Sequence, residues 1–100
     1  MPVETPGWDD VVCVGVDQVS NPLGDEVAVL DLGRGTYYGL NSTGARIWEL
    51  LQKPIRVREI HAVLVDEFEV EEETARRDLL AVLFELRAAG LIEVRGGDAP

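Results

Sequence analysis

The run VAVLDLGRGTYYGLNSTGARIWELL, residues 27–51, changes its hydrophobic period from that of strands to that of a helix. Its first half contains two short apolar stretches, 27–32 and 36–40, joined by the connector Gly33-Arg34-Gly35. Glycine adopts positive φ readily, so a connector this short predicts an antiparallel hairpin. We expect the second of these strands, residues 36–40, to lie at an edge of its sheet.

The residues before the hairpin predict one more strand. A β-branched run starts at Val11 and reaches at least Val16, and the turn-forming cluster 21–25 follows it. The three strands together are expected to form an antiparallel meander. Residues 1–10 contain two prolines and three acidic residues without periodicity, which predicts a flexible N-terminal arm. Trp8 in this arm either covers part of the core or marks a contact site.

The helical spacing begins after Asn41 and predicts three helices. Asn41 or Ser42 caps the first helix, and Pro54 stops it because proline disfavours a helical residue before it. The second helix is expected to cover about residues 56–68, and the third about residues 72–89.

The chain is predicted to leave the third helix at Gly90, a C-cap glycine, after which the apolar residues 91–94 pack back on the core. Residues 95–100 are expected to form a flexible tail. The domain therefore spans residues 11–94. Its element order predicts an α+β fold, a winged helix-turn-helix with a three-stranded antiparallel sheet followed by three helices.

The third helix carries more apolar surface than one neighbouring element buries. Leu80 and Phe84 widen a core-facing stripe that consists of Ala75, Leu79, Val82, Leu83 and Leu86. Either the helix is wedged between two elements, or part of the surplus faces a groove that awaits a partner.

The charge of the chain argues against nucleic acid as a ligand. Nine Lys and Arg residues against nineteen Asp and Glu give a formal net charge of −10, whereas phosphate binding requires a basic face. No apolar run is long enough to cross a bilayer, and the N-terminus has no signal-peptide pattern. We therefore expect no membrane partner and a cytoplasmic location.

The side chains that usually carry enzyme chemistry are scarce. His61, the one histidine, lies in the apolar stripe of the second helix, which predicts a packed, half-buried ring. Cys13, the one thiol, lies in a β-branched run without a basic neighbour. The common metal-binding, phosphate-binding and nucleophile motifs are missing. We expect a binding module with no catalytic residue, no cofactor and no metal.

Several short motifs follow one another in a fixed order along residues 27–94. They are Leu30-Asp31, Gly35 with Tyr37, Leu40-Asn41, Thr43-Gly44-Ala45, Leu51, Phe68, Asp78-Leu79, Leu83, Leu86 and Gly90-Leu91. This ordered set resembles the PqqD-like family of peptide-binding domains, the recognition elements of ribosomally synthesised and modified peptides. The chain departs from the family pattern at residues 52–56, where a Gly-centred turn is usual, and at Glu71, where Asp is common.

Within that family the chain is most similar to the stand-alone leader-binding proteins of lasso-peptide biosynthesis. The resemblance implies that the protein binds the leader of a precursor peptide, a segment in which a Tyr-x-x-Pro element recurs. It also implies delivery of the precursor to a separate cysteine leader peptidase and an ATP-dependent macrolactam cyclase. The alternatives are a recognition domain of another pathway, such as that of pyrroloquinoline quinone, a winged-helix transcription regulator, and an enzyme fragment that uses Cys13.

The predicted peptide site combines the edge strand with the third helix. The edge is formed by Tyr37, Tyr38, Gly39 and Leu40, which would accept an extended peptide as an added strand. Tyr37 and Tyr38 point to opposite faces, so only one is expected to line the groove. Gly39 leaves room for a foreign backbone. The third helix adds an apolar floor of Ala75, Leu79, Val82 and Leu86, and Asp78 at the rim is expected to act as a polar or ionic anchor.

Overall fold

The computed structural model describes residues 6–15 and 18–95, and within them six strands form two three-stranded antiparallel sheets beside three helices. The strands are β1 Val11–Val14, β2 Gln18–Leu23, β3 Glu26–Asp31, β4 Thr36–Leu40, β5 Ile55–Arg56 and β6 Ile92–Arg95. The helices are α1 Ser42–Leu50, α2 Val57–Phe68 and α3 Glu72–Ala88. The predicted α+β class is confirmed, and the arrangement fits a winged helix-turn-helix.

One sheet, in the order β2-β3-β4, contains the hairpin predicted from the sequence. β3 and β4 pair antiparallel with Leu30 opposite Tyr37. Gly35 in the connecting turn has a φ of 68°, a left-handed value that favours glycine. Among the described strands β4 has a neighbour on one side only, which confirms its predicted place at an edge, and β2 forms the other edge.

The turn predicted at residues 21–25 is shorter in the structure. The first three of these residues belong to β2 and pair with residues 26–28 of β3, so the turn consists of Gly24 and Asp25. Pro22 is tolerated inside the strand because an edge strand has one side on which no N–H donor is needed. The prediction of a turn over the whole segment is therefore wrong.

β1 does not join this hairpin, so the predicted meander is wrong in its first strand. β1 lies in the second sheet, in the order β5-β1-β6, where Val12 is opposite both Ile55 and Val94. Local sequence cannot indicate these partners because they lie far along the chain. The prediction that residues 91–94 pack back on the core is confirmed, since Leu91 is fully buried before β6 begins.

The helix ends follow the predicted capping residues. Asn41 is the N-cap of α1, and its side-chain Oδ1 accepts a hydrogen bond of 2.9 Å from the N–H of Gly44. Gly90 follows α3 with a φ of 76°, and the N–H of Leu91 donates to the carbonyl oxygen of Leu86 at 2.9 Å. Both predicted caps are confirmed.

The described part of the N-terminal arm, residues 6–10, lies against α2 and α3. The ring of Trp8 meets the half-buried ring of His61 edge-on at a centroid distance of 4.8 Å, and the guanidinium carbon of Arg76 lies 5.2 Å from the Trp8 centroid. Trp8 also packs against the core, so of the two interpretations it covers part of the core. The first five and last five residues lie outside the described residues, and flexibility of both ends stays a prediction.

The core lies between the inner face of the hairpin sheet and the helices, with β1 and the residues before β6 completing it. Each fully buried aliphatic side chain stabilises the fold by about 1.5–3 kcal/mol relative to an exposed one. Among the described residues, the largest fully buried side chains are Val12, Val29, Ile47, Leu51, Val57, Ile60, Leu64, Leu79, Leu83 and Leu91. Because α3 contributes two leucines to this set, its position relative to the sheet is set by core packing.

A bidentate ion pair joins α1 to α2 at the surface. The Nε and Nη2 atoms of Arg46 donate to the two carboxylate oxygens of Glu67 at 2.8 Å and 2.7 Å. These hydrogen bonds hold the pKa of Glu67 below its usual value and raise the pKa of Arg46. The carboxylate therefore stabilises the fold above the unfolded-state pKa of Glu67, and this contribution is lost as the pH falls through the lower folded-state pKa.

We expect Glu67→Gln to lower the melting temperature at pH 7 and to leave it close to wild type at a pH well below the folded-state pKa of Glu67, where the wild-type carboxylate is protonated. Thermal unfolding followed by circular dichroism at both pH values measures the difference. Asp66→Asn, on the same helix and without an ion pair among the described residues, is the matched control. A loss for Glu67→Gln that stays equally large at low pH would contradict the assignment.

Candidate functional site

A groove lies between the free edge of β4 and one face of α3. Its larger part is a cavity of about 470 Å³ between β4, the start of α1 and the C-terminal half of α3. It is lined by Tyr37, Tyr38, Gly39, Leu40, Asn41, Gly44, Val82, Glu85 and Leu86. Six of the nine residues predicted to bind a peptide are therefore brought together here.

A second, smaller cavity of about 140 Å³ lies beside the N-terminal half of α3. Ala75 and Asp78 line this part and lie on the same helical face as Val82, so the two cavities follow one another along α3. The remaining walls are formed by Thr43, Leu64, Phe68 and Val70. The two cavities together are called the β4–α3 groove below.

The main chain of β4 offers hydrogen-bonding groups to this groove. In an antiparallel ladder, residues bonded to the partner strand alternate with residues whose N–H and C=O point away from it. The two-residue turn between β2 and β3 sets this alternation, which places Tyr38 and Leu40 in bonded pairs with β3. The N–H and C=O groups of Tyr37 and Gly39 therefore point to the open edge.

The side chains of β4 alternate as predicted. Tyr38 is half-buried and packs against the core, whereas Tyr37 on the opposite face is 65% exposed. Both tyrosines nevertheless contribute to the lining of the larger cavity, so the expectation that only one would do so does not hold. A side chain at Gly39 would meet nothing closer than a Tyr37 ring carbon at 4.0 Å, which leaves the surface of the strand open there.

Three of the predicted residues of α3 are buried in the core, namely Ala75, Leu79 and Leu86, whereas Val82 is half-buried and Asp78 is exposed. Val82 and Leu86 line the larger cavity, and Ala75 and Asp78 line the smaller one. Leu79 is fully buried and lines neither cavity, so it packs in the core behind the groove wall. Its contribution to binding stays a prediction.

The two residues that widen the apolar stripe of α3, Leu80 and Phe84, have different surroundings. Leu80 packs partly buried against the core, while Phe84 remains 41% exposed and lies outside both cavities. The apolar residues of α3 that do line the larger cavity, Val82 and Leu86, belong instead to the stripe predicted to face the core. The helix is therefore packed on its neighbours and also presents apolar side chains to an open groove.

Sequence reasoning missed several residues of the groove wall. Glu85 lies three positions after Val82, so helical spacing alone could have indicated it. Phe68 and Val70 carried no such signal, because their place depends on the left-handed turn at Glu69, φ 51°, which leads from α2 toward α3. The other missed residues are Asn41, Thr43, Gly44 and Leu64.

The second open edge of the hairpin sheet is less suited to an added strand. A wider cleft of about 670 Å³ lies between this edge and α1, and it exceeds the groove in volume. Pro22 in β2 has no N–H to donate, and the cleft wall includes Arg46, whose guanidinium is already bonded to Glu49 and Glu67. The chemistry needed for strand addition therefore favours β4 over the larger cleft.

Over residues 6–15 and 18–95, no three His, Cys, Asp or Glu side chains are grouped so as to hold a metal ion. In the same ranges no helix is long and apolar enough to span a membrane. Cys13 is buried in β1, and neither a cysteine nor a histidine lines the β4–α3 groove. The groove thus consists of main-chain groups, apolar side chains, amide and hydroxyl groups, and carboxylates.

Comparison with known proteins gives one family and two similar structures. The family model of coenzyme PQQ synthesis protein D (PqqD) matches residues 26–92. The structure of TbiB1 in complex with the TbiA(beta) leader peptide is 38% identical, with a TM-score of 0.75 over 88% of this chain and 99% of that chain. The structure of lasso peptide synthetase B1 complexed with the leader peptide is 26% identical, with a TM-score of 0.72 over 82% of this chain and 96% of that chain. No curated protein matches the chain.

Truncation of two nearby residues of α3 distinguishes core from groove wall. We expect Leu79→Ala to lower the free energy of unfolding by about 2–5 kcal/mol, because a fully buried leucine leaves a cavity. Val82→Ala is expected to cost about 1 kcal/mol or less, because its side chain is already partly in solvent. Urea unfolding followed by circular dichroism measures both losses. Equal losses would show that Val82 belongs to the core as fully as Leu79.

Proposed function

This chain belongs to the PqqD family, and from that premise we propose that it binds the leader segment of a ribosomally synthesised precursor peptide as an added strand on β4. The observation that carries the proposal is the open edge of β4, where the main-chain groups of Tyr37 and Gly39 face an apolar groove. Two similar solved structures are complexes with leader peptides, which supports the same class of ligand for this chain.

Affinity and specificity come from different parts of the groove. Each main-chain hydrogen bond between peptide and β4 contributes about 0.5–1.5 kcal/mol whatever the peptide sequence. Contacts with Tyr38, Val82 and Leu86 select among the peptide side chains, of which every second one faces α3. Burying the tyrosine and proline of a Tyr-x-x-Pro element would contribute about 3–5 kcal/mol before ordering costs. We expect affinity on the order of 1 μM or tighter without a covalent step.

The biological role we propose is that of a cytoplasmic adaptor without catalytic activity of its own. It holds the leader and presents the rest of the precursor to a separate cysteine leader peptidase and an ATP-dependent macrolactam cyclase. The composition of the groove supports binding rather than nucleophilic chemistry, because the one thiol, Cys13, is buried outside it. A groove rim that bears carboxylates is also unsuited to nucleic acid, as is the net charge of −10.

A leader from pyrroloquinoline-quinone biosynthesis is the second candidate ligand, because the matching family model describes coenzyme PQQ synthesis. The lasso pathway is favoured by the 26% identity to lasso peptide synthetase B1 over 96% of that chain, and TbiB1, at 38% identity, is likewise a complex with a leader peptide. Fluorescence polarisation with two labelled probes, the TbiA(beta) leader and the leader of a pyrroloquinoline-quinone precursor, separates the two. Tighter binding of the second probe would move the chain to the other pathway.

Gly39→Pro tests strand addition directly. The substitution removes an N–H that points to the open edge, while the bonds from β4 to β3 use the neighbouring residues. We expect it to weaken binding of the labelled TbiA(beta) leader about tenfold or more, because one main-chain hydrogen bond is lost and the edge of β4 is altered. Fluorescence polarisation titration gives the dissociation constant.

Gly39→Ala is the matched control, because it keeps the N–H and places its methyl group in open space. We expect its dissociation constant to stay within about threefold of wild type, which is below 1 kcal/mol. Circular dichroism checks that both variants are folded. If folded Gly39→Pro bound the leader as tightly as Gly39→Ala, the peptide would not be pairing with β4 at this position.

A further inference from the structure

The β4–α3 groove carries two acidic side chains and no basic one among its lining residues. Glu85 lines the larger cavity and Asp78 the smaller one, and both are exposed at the rim. Among the described residues, neither carboxylate takes part in a hydrogen bond or an ion pair. Of the described residues, those that line the groove therefore offer a peptide negative formal charges only.

These two carboxylates differ from the acidic residues that hold the fold together. Ion pairs with arginine engage Asp9, Asp31, Glu49 and Glu67. Other exposed acidic residues lack such partners as well, but they line neither cavity of the groove. Among the described residues, Asp78 and Glu85 are thus carboxylates that have no ion-pair partner and also line the groove.

The axial distance between Asp78 and Glu85 lies between the distances that separate side chains two and four residues apart on an extended peptide. Asp78 and Glu85 lie seven positions apart on α3. Seven positions are nearly two helical turns, so both side chains lie on nearly the same face, about 10.5 Å apart along the helix axis. A strand covers that distance in about three residues, and only every second side chain of an added strand faces the helix. Lysine and arginine side chains are long and flexible enough to bridge the difference between this distance and the spacing of alternate strand side chains. Two cations placed two or four residues apart on the peptide can therefore reach both carboxylates.

We propose that Asp78 and Glu85 select a leader that carries lysine or arginine at the positions facing α3. The inference rests on the proposed leader binding and adds to it the charge of the ligand. Apolar residues beside each carboxylate, Phe68 and Val70 next to Asp78 and Val82 next to Glu85, lose water when a peptide docks. A negative charge on the peptide is then brought against a carboxylate in a drier environment, which opposes binding.

A charge scan of the leader tests this inference. The probe is the TbiA(beta) leader, in which each position is replaced singly by lysine and by glutamate, and the dissociation constants are measured at 50 mM NaCl. For wild-type protein we expect the glutamate peptide to bind about fivefold or more weakly than the lysine peptide at one or two positions, two or four residues apart. In 1 M NaCl the Debye length falls to about 3 Å, and the ratio is expected to approach one.

The double variant Asp78→Asn with Glu85→Gln is expected to bring this ratio within about twofold of one at 50 mM NaCl while it still binds the unsubstituted leader. The matched control, Glu59→Gln with Asp66→Asn on α2, removes the same net charge away from the groove and is expected to keep the wild-type ratio. Asp78→Lys is expected to reverse the preference at one position. Circular dichroism confirms that each variant is folded.

The outcomes separate this inference from the proposed function. If the unsubstituted leader binds wild type but the ratio is the same in the groove variant and the α2 control, the charge selection is refuted and leader binding stands. If neither the leader nor any scan peptide binds wild type, leader binding itself is refuted and the charge selection falls with it. A preference for glutamate at the positions facing α3 would also overturn the inference.

Discussion

The groove depends on the buried face of α3. Leu79 and Leu83 are fully buried and fix the helix in the core, and this brings Val82 and Leu86 beside the open edge of β4. Protein interiors are close-packed, so the distance between helix and strand cannot change without disturbing the core. The width of the groove is therefore set by residues that line neither cavity, and the lining residues determine its chemistry.

The junction between β4 and α1 limits the freedom of the groove wall in a second way. Asn41 lines the groove and also caps α1 through its side chain, so its amide is held in place before any ligand arrives. Gly44 follows closely, and a Cβ there would lie 3.3 Å from the Cβ of Leu40, a tight contact. A wall that is already ordered reduces the entropy lost on binding. This favours recognition of a flexible peptide, because only the peptide has to be ordered.

Both the net charge of the chain and the placement of individual carboxylates restrict which ligands can bind. The net charge of −10 belongs to the whole chain and disfavours a polyanionic ligand at any surface. The structure then distinguishes carboxylates that pair with arginine at the surface, as Glu67 does with Arg46, from unpaired ones, of which Asp78 and Glu85 line the groove. Composition alone cannot make this division, because it depends on which helical face meets the strand.

The sequence by itself determined the elements whose signals are local. The β3–β4 hairpin, the Asn41 cap and the end of α3 at Gly90 each depend on residues only a few positions apart, and the structure agrees with all three. The edge position of β4 and eight residues of the groove wall were also predictable, because strand and helix periods assign side chains to faces.

Only the tertiary structure decided which elements meet. Val11–Val14 has the composition of a strand, yet its partners are the distant β5 and β6, which no local pattern could select over the nearby hairpin. In the same way, Leu79 and Val82 belong to one apolar stripe, and packing against the other elements makes one a core residue and the other a groove wall. A periodic pattern records that a face is apolar, whereas the surface that covers it comes from residues elsewhere in the chain.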